Sequence, residues 1–177
     1  MQVSVHGAKD RSWANWLRIA ARFYAKELMH PNLVKHLHLQ IKFIKPSKEF
    51  PDKGQCEWDD IDGPPNPRYF TIYLATRLRK RDAFQTLAHE MVHLKQYATN
   101  QMTGLIHSNN LQLWKGAEYN LNSKNSPAKK SKNMVLCDPK GKDYYYQPWE
   151  VEAYGLEVGL WAYFRQHSKL NRNGELK

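Results

Sequence analysis

His89, Glu90 and His93 spell H-E-x-x-H inside a segment whose apolar residues recur at helical spacing. Two imidazoles four positions apart lie on one helical face, roughly 40° apart around the axis, so both rings can reach one metal ion. The glutamate beside the first histidine then stands next to water polarised by that ion and can take its proton. This is metal-assisted hydrolysis, the chemistry of a zinc peptidase. A surface helix with two solvated histidines would give the same five letters, and the flanking residues separate the two readings. Ala83, Phe84, Leu87, Ala88, Met91, Val92 and Leu94 repeat at three and four, which predicts an amphipathic helix with a broad buried side. Asp82, after the basic run Arg77-Leu78-Arg79-Lys80-Arg81, is its expected N-cap.

Two histidines leave a catalytic zinc site incomplete, because three protein ligands hold the metal and the fourth position stays open. The extended metzincin pattern requires Gly at position 96 and His at 99; the chain has Gln96 and Thr99. A glutamate from a second helix is the remaining route, and Glu150 and Glu152 in Pro148-Trp149-Glu150-Val151-Glu152-Ala153-Tyr154 are the candidates. Two positions apart, they face different sides of a helix, so only one of them can point at the metal. The developing oxyanion needs a donor, and Tyr144, Tyr145, Tyr146 and Tyr154 are close to the third ligand in sequence, although at least two of these four read as a strand packed on the core.

Several elements must position these groups. Trp13, Trp16, Leu17, Ala20, Ala21, Tyr24 and Leu28 form a helical stripe from Ser12 to Met29, closed by Pro31. Leu37, Leu39, Ile41 and Phe43 alternate with polar residues as a half-buried strand, and Tyr69–Ala75 reads as another. The segment from Pro46 to Pro67 is rich in turn formers and reads as a solvated loop; Asp59, Asp60 and Asp62 lack the distal glutamate of a calcium loop. Ile106 to Tyr119 reads as a short hairpin or an extended loop, and Pro148 opens a final helix. These elements predict an α+β chain with one domain over 1–168, a mobile loop over 120–134 and a polar tail over 169–177.

Composition fits a folded domain: 41% hydrophobic residues, six Trp and ten Tyr. The opening residues do not read as a signal peptide, and no apolar run reaches the ~20 residues of a membrane span. Cys56 and Cys137 stand far apart with no metal-ligand spacing, so a reducing cytoplasmic setting is expected. The net charge of +10 favours contact with polyanions. Two clusters concentrate it: Arg77, Arg79, Lys80 and Arg81, then Lys129, Lys130 and Lys132. Neither is interleaved with stacking aromatics, so no dedicated nucleic-acid module is indicated.

The run L-A-H-E-M-V-H-L-K-Q-Y with P-W-E-V-E-A-Y-G downstream resembles the small zincins with a glutamate third ligand, the gluzincins, and SprT-like metallopeptidases of phages and bacteria. The resemblance covers Phe70 to Gly159. It implies a small zincin-like domain with an N-terminal helix, a short mixed sheet, an active-site helix and a C-terminal helix carrying the third ligand. It also implies zinc on His89, His93 and Glu150, with Glu90 as general base; SprT-like enzymes that use a third histidine instead would place it at His107. By the same resemblance Tyr69 to Leu74 would pair with an extended substrate, and the setting would be the cytoplasm of a bacterium or phage-infected host. Many gluzincins place a histidine-supporting acid four positions after the ligand glutamate; here that position is Tyr154. Three other functions fit the same residues: a structural zinc closed by Cys56 or Cys137, a nucleic-acid-associated factor acting on DNA-bound proteins, and a non-catalytic interaction module.

Overall fold

The computed structural model describes residues 1–48, 50, 53–59, 66–106, 111–120, 135–136 and 144–170. The chain is α+β. Strand β1 (Gln2–His6) leads into helix α1 (Arg11–Leu28), the one-turn helix α2 (Pro31–Val34) and strand β2 (His38–Ile44). Strands β3 (Gly54–Trp58) and β4 (Tyr69–Ala75) come next, then helix α3 (Lys80–Ala98). A meander of β5 (Met102–Ile106), β6 (Leu111–Trp114) and β7 (Ala117–Asn120) continues the chain, with the two-residue strand β8 (Val135–Leu136). A 3-10 turn (Tyr144–Tyr146) precedes helix α4 (Pro148–His167).

The larger sheet has the order β1-β2-β4-β3. The first three strands are parallel, and β3 runs antiparallel to β4 on the outer edge. Parallel neighbours need a long return path, and α1 supplies it between β1 and β2. Asp10 starts α1 by accepting the Trp13 N–H at 2.7 Å. Its buried side, Leu17, Ala20, Ala21 and Tyr24, is the stripe read from the sequence.

Helix α3 lies at the centre. Residues on every side of it are buried, as expected for a helix covered by other elements all round. Phe84 stacks on Trp161 of α4 at 5.3 Å and meets Trp13 of α1 edge-on at 4.9 Å. The Tyr24 hydroxyl donates to the Phe84 carbonyl at 3.2 Å, which ties α1 to α3. The second sheet encloses a smaller core of Met102, Trp114 and Trp149, with Tyr119 against it. Lys115 and Gly116, both at positive φ (48° and 82°), turn β6 into β7, the conformation a two-residue hairpin loop requires. Because Trp149 is locked into that core, the first turn of α4 has a fixed position.

Four expectations change. Asp82 is not the N-cap: α3 begins at Lys80 after Arg79, and Asp82 sits in the first turn accepting from Arg79 Nε at 2.8 Å. The turn-rich stretch before Pro67 contains β3, whose register against β4 pairs Cys56 with Ile72. Tyr144–Tyr146 is a 3-10 turn rather than a strand, with Tyr145 and Tyr146 exposed. Leu170 is buried, so packing continues past the expected start of a polar tail. His107, Cys137, Lys129, Lys130, Lys132 and all of the expected loop after Asn120 up to 134 lie outside the described residues. Among the described residues no helix is long and apolar enough to cross a membrane.

Candidate metal centre

His89 and His93 stand one turn apart on α3, and Glu150 reaches them from the first turn of α4. The two Nε2 atoms are 3.1 Å apart. Glu150 Oε2 is 3.4 Å from His89 Nε2, and its Oε1 is 3.4 Å from His93 Nε2. All three side chains are buried, and their donor atoms lie within 4.8 Å of one another, a group able to hold a metal ion.

The outer nitrogens of both rings are committed. His89 Nδ1 lies 2.9 Å from Glu157 Oε2, whose other oxygen accepts from Gln85 Nε2 at 2.7 Å. His93 Nδ1 lies 2.8 Å from Gln96 Oε1. The Gln96 amide cannot be turned round, because its Nε2 donates to the Trp149 carbonyl and to Glu152 Oε2, both at 2.9 Å. Both partners of the ring Nδ1 atoms are therefore acceptors, which puts a hydrogen on each Nδ1. In the neutral rings each Nε2 is then a lone pair facing the other ring and the Glu150 carboxylate. Glu150 Oε2 is buried with no hydrogen-bond partner. Acceptors gathered this closely out of water repel one another unless a positive charge lies among them.

The protonation equilibria carry the same signature. Burial alone would lower the His89 pKa, yet the carboxylates of Glu150 and Glu157 outweigh it and hold it up at about 10. Burial alone would raise the Glu150 pKa, yet His89 and His93 bring it down to about 2. Without a metal the cluster holds protons; a divalent cation on the same donors is the stronger form of that compensation.

Glu152 points away from the histidines. It accepts from Lys95 Nζ and Gln96 Nε2, both at 2.9 Å, and so braces the amide that orients His93. The acid supporting His89 is Glu157, seven positions after Glu150 rather than four. The expected position, Tyr154, instead presents its ring to His89 edge-on at 4.6 Å. Burial and then the charge of Glu150 push the Tyr154 pKa up to about 12, so at neutral pH the phenol keeps its proton and is a donor. Tyr145 meets the Tyr154 ring at a tilt, 5.3 Å between centroids, while Tyr146 is 77% exposed.

Glu90 is buried beside the metal-ligand face and lies against Gly54 of β3. A Cβ on Gly54 would come within 2.6 Å of Glu90 Oε1 and 2.5 Å of Thr86 Cγ2, so only glycine lets the edge strand approach here. Cys56 is outside the metal-ligating group, and its thiol is pushed up first by burial and then by the Glu90 charge. Strand β4 has both edges occupied, by β2 and β3, so Tyr69 to Leu74 cannot receive a further strand. Gly54, Gln96 and Glu157 do not stand out in the sequence; the last two share a helix with a ligand at i+3 and i+7, a spacing that could have revealed them. Comparison with protein-family models, with curated proteins and with solved structures finds no match for this chain.

Proposed function

We propose that the chain is a zinc-dependent metallopeptidase in which His89, His93 and Glu150 hold the metal. The observation that carries this reading is the convergence of two imidazole nitrogens and a carboxylate, with the outward ring nitrogens already anchored. Two imidazoles with one carboxylate make a donor set that zinc favours and that leaves a coordination position open. The resemblance of His89 to His93 and Glu150 to the gluzincin pattern supports the same conclusion. Zinc bound there supplies Lewis acidity, which activates water and polarises the scissile carbonyl.

The remaining work belongs to the chain's own groups. Glu90, next to His89, takes the proton from the attacking water and returns it to the leaving amine. The Tyr154 phenol, protonated at neutral pH, donates a hydrogen bond to the oxygen that gains charge. Glu157 and Gln96 keep the two rings in the tautomer a metal needs. An extended peptide is held on the outer edge of β3, which has β4 as its one strand partner among the described residues and runs past Glu90 at Gly54. Incubating the zinc-loaded chain with an unfolded protein tests the reading: cleavage that stops on chelation and in Glu90→Gln is expected, and uncleaved substrate with zinc fully bound contradicts it.

A further inference from the structure

Strands β1, β2 and β4 are parallel, so their C-terminal ends lie together. The backbone closes this end tightly: Thr76 N–H donates to the Ile44 carbonyl at 2.9 Å, and Ala75 N–H donates to the Lys53 carbonyl at 3.0 Å. The segment leaving each strand is basic and exposed. Lys9 and Arg11 come after β1, and Lys45 and Lys48 after β2. Lys53 precedes the antiparallel β3 at this same end. Arg77 and Arg79 stand between β4 and α3, and Lys80 and Arg81 lie in the first turn of α3. A cleft of about 490 Å³ between β1 and α1 carries Arg11 and Arg18 into the same surface.

Among the described residues little opposes this charge. Of the acids described at this end, Asp10 is taken up by the Trp13 N–H and Asp82 by Arg79; Glu49 and Asp52 lie outside the described residues. Helices α1 and α3 both begin here, so the positive ends of two helix dipoles point the same way. Among the described residues the exposed aromatic side chains lie elsewhere, at the opposite end of β4 (Tyr69) or around α4 (Tyr145, Tyr146, Tyr154 and Tyr163); the apolar groups near the patch are Ile19 of α1 and the small Val5, Ala8 and Ala14 of the cleft. A membrane surface site needs apolar side chains to insert, and a single-strand site needs aromatic rings for stacking. Fixed cations spread over four adjacent segments, with no exposed aromatic ring or large apolar side chain on those segments among the described residues, match the regular phosphates of a duplex.

We propose that this end of the sheet is a contact surface for the phosphate backbone of double-stranded nucleic acid, read without sequence preference. It does not depend on the metal centre: Lys80 and Glu90 are ten residues apart on α3, about 15 Å. The test is fluorescence anisotropy of the intact chain with labelled duplex DNA, duplex RNA and single strands of equal length, with zinc content measured on every variant. With about five phosphates engaged, affinity for a duplex falls roughly 500-fold between 50 and 200 mM salt. Lys45→Glu/Arg77→Glu/Arg81→Glu is expected to weaken duplex binding at least ~30-fold at low salt and to flatten the salt slope by about 3. The charge-matched control Arg22→Glu/Lys26→Glu/Lys35→Glu, on other exposed positions, stays within about threefold of wild type. If the reversals disturb folding, Lys45→Gln/Arg77→Gln/Arg81→Gln is expected to lose about tenfold. Equal losses in patch and control variants overturn the proposal. So does single-strand binding as tight as duplex binding, or capture by phosphatidylserine vesicles that matches the duplexes at equal phosphate.

Discussion

The Glu157 carboxylate stands 2.9 Å from Nδ1 of His89, two turns along α4 from Glu150. One helix therefore supplies both a candidate ligand and the acid that orients its partner ligand. Replacing Glu157 with Gln keeps an acceptor but removes the charge that makes the ring more basic. Zinc affinity is expected to fall about 10- to 100-fold, with the helical circular-dichroism signal unchanged. Competition with a chromogenic chelator measures it.

Glu150 and Glu152 are separated by their surroundings. Glu150→Ala removes a buried donor and is expected to abolish stoichiometric zinc. Glu152→Ala breaks the contacts with buried Gln96 and with Lys95, in a pair whose carboxylate is itself only partly shielded from water. A stability loss of about 1–2 kcal/mol with zinc retained is expected, read from urea unfolding beside metal analysis.

In the proposed mechanism Glu90 and Tyr154 would act on protons and charge, not on metal retention. Glu90→Gln is expected to keep zinc and lose about 10²- to 10⁴-fold in turnover. Tyr154→Phe keeps the ring against His89 and deletes the donor, so turnover falls about 10²-fold or more at constant zinc content. Single-turnover cleavage of a fluorogenic peptide distinguishes both from a binding defect.

Gly54 gives the approach of β3 to α3 a direct probe. Gly54→Ala places a methyl group against Thr86 and Glu90. Overpacking of this kind costs about 1–3 kcal/mol, and because Glu90 must shift, turnover is expected to fall more than zinc affinity. Thermal unfolding and the ratio of the two losses check it.

The parts of this molecule legible in its sequence are those whose signal is local. Leu17 to Tyr24 and Ala83 to Leu94 carry a helical period long enough to outweigh chance, and Tyr69–Ala75 is a strand run bounded by turns. The placement of Glu150 rather than Glu152 among the histidines comes from helix geometry, once Trp149 fixes which face turns inward. Strand β3 is hidden because five residues between Pro- and Asp-rich turns carry almost no period, and its register comes from β4. Glu157 escapes notice because the expected four-residue spacing leads to Tyr154, one turn short of the acid. The basic end of the sheet is half visible as Arg77 to Arg81. Lys9 and Lys45 join it only because three parallel strands end together, and Lys53 because antiparallel β3 begins at that end, which are properties of topology.

Zinc per chain tests the central claim most directly. It is measured by mass spectrometry on wild type, His93→Ala and Glu150→Ala, each purified without added metal. Near one zinc per chain in the wild type, lost in both variants while helical content persists, is the predicted result. A folded wild type that contains no zinc and takes up none on titration would contradict it.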